Sequence, residues 1–217
     1  MSLFDELNKV IPITTISKGL LYTEAYSVGK VHWESDYEIG SIKPSFLMAD
    51  ESTLCKNYKI SIESGLDDVP IFKDFVLIHE YMHCLDQKTC DHIGVWNGLP
   101  LNTTFFDSDN IDLISKMQIE YELRSRSSNF IKSKLGWVSV PIRSIRYDVD
   151  VTWNFSHGCD NRSDELIANF GACIYLWSEE TKEVFPRTSS RFVELLNQGY
   201  YGEDAKKIFK HLVEVKT

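Results

Sequence analysis

Apolar and polar positions recur with two different periods along this chain, and the change of period divides it. Over Tyr58-Lys59-Ile60-Ser61-Ile62-Glu63 every second residue is apolar, as in a strand with one face in the core and one in water. Upstream, Leu20 to Val28 and Lys30 to Trp33 flank Gly29 in a hairpin-like pattern, and Ser45 to Met48 makes another short run. Pro70 then opens a helix, a favoured residue for the first helical position. From there the period lengthens. Ile71, Phe75, Ile78, Met82 and Leu85 form one stripe at helical spacing, and Phe72, Val76, His79, His83 and Asp86 form a second stripe one residue further round. A long helix is predicted over 109–134, with strand character around Trp137 to Ile145 and Tyr147 to Trp153. Further helices are predicted over roughly 163–178, 189–198 and 203–214. Strands first and helices after them predict an α+β fold. The expected organisation is one domain over 1–217, strand-rich over 1–68 and mainly helical over 69–217.

Composition narrows the function classes. Of 217 residues, 43% are hydrophobic and 12% aromatic, enough for a sizeable core. The formal net charge of −9 leaves no basic stripe to meet phosphates and argues against nucleic acid as a partner. No apolar run reaches the ~18 residues of a membrane span. The first residues, Met1-Ser2-Leu3-Phe4-Asp5-Glu6, are acidic where a signal peptide is basic, so the chain is expected to be cytoplasmic where it is made. Five cysteines (Cys55, Cys84, Cys90, Cys159, Cys173) are odd in number and widely spaced, which predicts reduced thiols. Without a secretion signal, the glycosylation sequons at Asn102, Asn154 and Asn161 carry little weight.

The chemistry concentrates in His79-Glu80-Tyr81-Met82-His83. On a helix the two histidines project from one face and can bind one Zn²⁺, and Glu80 can act as general base on a metal-activated water. Asp86, on the same stripe, can orient an imidazole through its other nitrogen. Cys84 is turned ~100° away from His83 and is expected to pack.

A catalytic zinc takes a third protein ligand. His92 does not complete the metzincin spacing. Glu120 and Glu122 lie on the long helix, where a charged face also accounts for them. Glu165 is the favoured candidate: it opens a helix whose face continues with Ala168 and Ala172. Leu166, Phe170, Cys173 and Trp177 make a separate apolar stripe. Small residues on the Glu165 face would let this helix come close to the histidine helix.

At these residues the chain resembles the gluzincin metallopeptidases, with H-E-x-x-H followed by a Glu on a later helix. His79 to Asp86 is similar to the H-E-x-x-H-x-x-D of lethal-factor-like and Mlc-titration-factor peptidases. Glu165-Leu166-Ile167-Ala168-Asn169-Phe170 is similar to their E-F-F-A-x-x-F helix. About two dozen residues carry the likeness. It implies a zincin-like fold, with an N-terminal mixed sheet whose edge strand, here Tyr58 to Glu63, lines the cleft and binds an extended peptide. It also implies Zn²⁺ held by His79, His83 and Glu165. These families often carry a Tyr seven residues before the ligand Glu, but Gly158 stands there in this chain. His157 beside it, or Tyr147 upstream, is the candidate for stabilising the oxyanion.

The function expected is zinc-dependent endopeptidase action on a protein or peptide substrate, with Glu80 as base and His157 polarising the carbonyl. The alternative is a zincin-like regulatory or binding protein whose metal serves structure or sensing. A third is a globular interaction protein in which the motif is accidental. The small size suits a unit delivered to act on one host protein.

Overall fold

Ile60 and Ile62 are both buried, as alternation requires of one strand face. They lie on β3 (Tyr58–Glu63), which the protein places between two other strands. β1 (Ile13–Ile16) runs parallel to it with Ile13 opposite Ile60, and β2 (Gly29–Trp33) runs antiparallel with Gly29 opposite Ile62. The order β1-β3-β2 makes β3 the middle strand. This corrects the expectation of an edge strand at Tyr58 to Glu63. Alternation reports which face is wet. It says nothing about lateral neighbours, because backbone N–H and C=O groups point sideways whatever the side chain. Among the described residues the outer edges belong to β1 and β2.

The structure is a computed structural model that describes residues 2–16, 29–33, 58–90, 105, 111–142, 145–151 and 163–213. The run expected at Leu20 to Val28 and the one at Ser45 to Met48 lie outside these residues. Described, the chain is mostly helical with a few short strands. A short helix that the sequence pattern did not suggest, α1 (Leu3–Leu7), begins at a capping box in which the Ser2 hydroxyl and Asp5 satisfy each other's backbone N–H. Leu3 and Leu7 seat it on the core.

α2 (Pro70–Cys90) begins at the expected proline and packs against β2 and β3 as well as a later helix over Ser163–Leu176. Its burial differs from a two-stripe amphipathic helix. Phe75, Val76, Leu77, Ile78, His79, Glu80, Tyr81 and Met82 are all buried, whereas Ile71, expected in the core stripe, is 58% exposed. A helix apolar on nearly every side is an interior element. The described members of the second stripe, Phe72, Val76 and His79, are all buried, and His79 stands inside the core rather than beside it.

Between β3 and α2 the chain makes a tight 3-10 turn, Ser64–Asp68, against which the later hairpin closes. That hairpin pairs β4 (Trp137–Ile142) with β5 (Ile145–Asp150). A Cβ at Gly65 would lie 1.8 Å from the Pro141 carbonyl oxygen, so only glycine allows β4 to close on the turn.

The remaining helices are α3 (Leu113–Lys134), started by the Asp112 side chain, then α4 (Ser163–Leu176), α5 (Ser178–Val184), α6 (Pro186–Asn197) and α7 (Gly202–Ile208). α5 fills a stretch where no helix was expected. Aromatic rings hold this half together. Phe170 meets Phe185 and Phe192 edge-on at 5.9 and 5.8 Å, Phe130 meets Phe185 at 5.7 Å, and Phe192 meets Phe209 at 5.1 Å. Each such pair adds about 0.5–1.5 kcal/mol beyond area burial. Among the described residues no helix is long and apolar enough to cross a membrane.

The Gly65 contact predicts the outcome of a single added methyl. Gly65→Ala meets backbone rather than a yielding side chain, so its cost lies at the upper end of the about 1–3 kcal/mol of overpacking, or beyond it. Chemical denaturation measures it; an unchanged midpoint would contradict the packing of β4 on the turn.

Candidate metal centre

The helix α4 approaches α2 closely because of glycine. A Cβ at Gly171 would fall 2.3 Å from Cγ and 2.6 Å from Sδ of Met82, so the thioether occupies the space a larger residue would need. Ala168 and Ala172 on the same helix are also buried. The sequence pattern pointed to small residues on this helix. Met82 of α2 packs over Gly171, one residue from the face that had been singled out.

At this contact the Nδ1 of His79 lies 3.0 Å from the Oδ1 of Asn169. Both side chains are buried, at 3% and 2% exposure. With the amide oxygen toward the ring, Nδ1 carries the proton and donates it. The lone pair then sits on Nε2, the nitrogen that a metal ligand needs. The Phe75 ring stacks with the imidazole, centroids 6.4 Å apart and planes 22° from parallel. A packed neighbour and a hydrogen bond together fix the ring's orientation.

Asn169 was not singled out as a functional residue from the sequence. A signal for it existed: it lies four positions after Glu165, hence on the same face of α4 one turn further along. The partner expected to orient an imidazole was Asp86, whose side chain lies outside the described residues.

The backbone relates the other candidates. Phe75 meets Trp177 just beyond the end of α4, with ring centroids 6.3 Å apart, and His79 meets Asn169 in its middle. The two helices thus run in opposite senses. The backbone of His83 follows His79 by one turn, and that of Glu165 precedes Asn169 by one turn. The side chains of His83 and Glu165 lie outside the described residues. So do the side chain of Tyr147, on β5, and the whole of His92 and His157. Among the described residues no trio of His, Cys, Asp or Glu is grouped as a metal site.

Glu80 is 8% exposed, so the carboxylate that follows His79 is largely withdrawn from water. Tyr81 is fully buried. Burial, with Asp204 adding to it, pushes its phenol above the ordinary range and keeps it neutral. Cys84 packs in the core as expected, and Cys173 on α4 is also buried; neither is in a disulfide. Burial pushes the Cys173 thiol up strongly, which keeps it from being a thiolate ligand or nucleophile at neutral pH. Cys55, Cys159 and the Cys90 side chain lie outside the described residues, as do the sequons.

The two alternative third ligands separate. Glu120 is half-buried on α3. Glu122 is buried and turned to α6, where its carboxylate accepts from the backbone N–H of Arg187 at 3.3 Å, from that of Thr188 at 3.1 Å and from the Thr188 hydroxyl at 2.9 Å. Those N–H groups belong to the first turn of α6, which has no side-chain cap of its own. Glu122 therefore closes a helix end, and the dipole of that end favours its charge.

Compared with protein-family models, with curated proteins and with solved structures, the chain matches none.

The role of Glu122 yields a prediction. Glu122→Ala strips three hydrogen bonds to a charged acceptor and leaves the α6 N–H groups buried, which costs about 2–4 kcal/mol. Thermal melting reads the loss. A variant as stable as the parent would show that α6 does not need this cap.

Proposed function

We propose that the protein is a zincin-like, zinc-dependent endopeptidase of α+β architecture, with His79, His83 and Glu165 as metal ligands and Glu80 as general base. The observation that carries this reading is the hydrogen bond from His79 to Asn169. A histidine of the H-E-x-x-H is buried on the contact between two helices and held through Nδ1, the tautomer that a zinc ligand binding through Nε2 requires. Here the acceptor comes from the helix that also carries the candidate third ligand, four positions away. Two imidazoles and one carboxylate suit a borderline-soft divalent ion with a remaining open position.

When bound, Zn²⁺ supplies Lewis acidity toward a scissile carbonyl and makes water acidic enough to attack at neutral pH. The chain's own residues do the rest. The Glu80 carboxylate takes the proton of the attacking water and returns it to the leaving amine. Its 8% exposure limits competition from bulk water. Asn169 holds the His79 ring in its rotamer and tautomer. His157 or Tyr147 steadies the developing oxyanion. The substrate is a polypeptide. Because β3 is the middle strand, an extended substrate would add to an outer strand, and β2, which packs against α2, is the edge nearer the motif.

Glu80→Gln preserves shape while removing the base. The variant is expected to bind one zinc per chain and to lose about 10²–10⁴-fold in cleavage rate. Peptide N-termini profiled in a lysate treated with wild type or variant read this out; equal cleavage by both would refute proteolysis through Glu80. A regulatory or binding protein with a sensing metal would instead keep its zinc and show no cleavage in either arm.

A second variant tests the ring's support. Asn169→Leu removes the acceptor and should weaken zinc about 10–100-fold, while Asn169→Asp, which still accepts, should not. Competition against a chromophoric chelator measures both, with thermal melting to confirm that each is folded. Equal affinities would mean that Asn169 plays no part in holding the metal.

A further inference from the structure

The described surface carries few large exposed hydrophobic side chains, and most fall in one place. Leu113, Ile114, Met117 and Tyr121 are 71%, 67%, 61% and 68% exposed, and all lie on the first turns of α3. The others, Ile71 and Trp137, stand on different elements. Singly scattered apolar residues need no explanation, whereas a contiguous group at helical spacing does. Spacings of three and four run from Ile114 to Met117 to Tyr121, so these form one stripe. Propensity for the helix does not require them, since polar residues serve equally well on an exposed face.

Beside the stripe is a groove of about 500 Å³ between α3 and the start of α6, lined by Ile114, Met117, Tyr121, Glu122, Arg126 and Arg187 among others. That is the size of a recess that accepts a few side chains. Its charge is opposite to that of the chain. Arg126 and Arg187 are exposed, and each spends one nitrogen on a contact that fixes its position: Arg126 donates to the Val184 carbonyl, and Arg187 to the Gln118 side chain. A guanidinium has five N–H donors, so anchoring through one nitrogen leaves others directed outward. The negative charge in the groove, Glu122, is already satisfied by the first turn of α6. In a chain of net charge −9 this face is locally cationic.

We propose that the α3 stripe and the α3–α6 groove form a docking site for a protein segment that presents apolar side chains at helical spacing flanked by carboxylates. The apolar ridge of the segment seats on Ile114, Met117 and Tyr121, and its carboxylates meet Arg126 and Arg187 as charge-assisted pairs. Tyr, Met and Arg are the residue types that protein interfaces concentrate. A concave recess suits a segment with protruding side chains better than a flat bilayer, and the acidic remainder of the chain opposes anionic lipid. The site uses α3 and α6 alone, so it stands whether or not the chain is a peptidase, and Glu80→Gln leaves it intact.

The test uses defined probes on the full chain. Two labelled amphipathic peptides of about 16 residues share Leu and Phe at helical spacing; one is flanked by Glu and the other by Lys. Fluorescence anisotropy is expected to show saturable binding of the Glu peptide alone. Met117→Asp is expected to weaken it about tenfold or more, and Arg126→Glu with Arg187→Glu to shift preference toward the Lys peptide. Met117 is 61% exposed, so its variant keeps the fold, and melting curves verify this for the arginine pair. Absence of binding below about 1 mM, or equal binding of both peptides, overturns the proposal. So does sedimentation showing self-association that Met117→Asp abolishes, which would make a second copy the occupant. Binding to phosphatidylcholine–phosphatidylserine vesicles that the same change abolishes would also overturn it.

Discussion

The contact of α2 with α4 is the constraint on which the rest of the molecule depends. Met82 occupies the volume that a side chain at position 171 would claim, so its thioether fills the space that glycine leaves between the two helices. Interiors are packed to crystal-like density, so this contact leaves little freedom in the separation of the helices. Along the same contact a buried imidazole finds a buried amide. A polar pair in a core contributes little beyond its desolvation cost when satisfied and is costly when broken. The pair therefore fixes how the helices register more than how tightly they adhere. The sheet and α1 also pack on α2, and residues 75–82, which carry most of the motif, lie inside.

A second buried charge organises the helical half. Glu122 reaches from α3 to the first turn of α6, a helix that begins at Phe185 and Pro186 without a cap residue. Proline has no N–H to satisfy, and the next two N–H groups go to one carboxylate. The interaction spans 65 and 66 positions of sequence, so it joins elements instead of finishing one locally. Edge-to-face rings from Phe130, Phe170, Phe185 and Phe192 close the same region from the apolar side. With its inner face committed to these contacts, α3 turns Ile114, Met117 and Tyr121 outward.

Much of this was legible beforehand, for local reasons. Pro70 marks the first turn of α2 because its ring suits that position and no other in a helix. Ile60 and Ile62 are inside because a strand's side chains alternate. The helix expected from 163 begins there, the one expected from 189 begins at Pro186, and the two strands expected around 137–145 and 147–153 form at Trp137–Ile142 and Ile145–Asp150. The readings that failed concern neighbours. The α2 periodicity suggested one dry side, yet residues 75–82 are buried all the way round, and Ile71 at its start is wet. β3, expected at an edge, is central. α5 carries Ser178, Glu179, Glu180 and Lys182, a polar run with little helical stripe, and forms between two helices that pack on it.

The candidate site divides along the same line. Sequence alone determined that His79, Glu80 and His83 share a helix, and that Glu165 and Asn169 share another, because spacing within one helix is a local property of a repeating backbone. Only the tertiary structure decided that Asn169 is the acceptor for His79, that Met82 packs over Gly171, and that Glu122 serves α6. Each of those pairings joins residues far apart in the chain. No local periodicity encodes them, since they are set by which surfaces come together when the core excludes water.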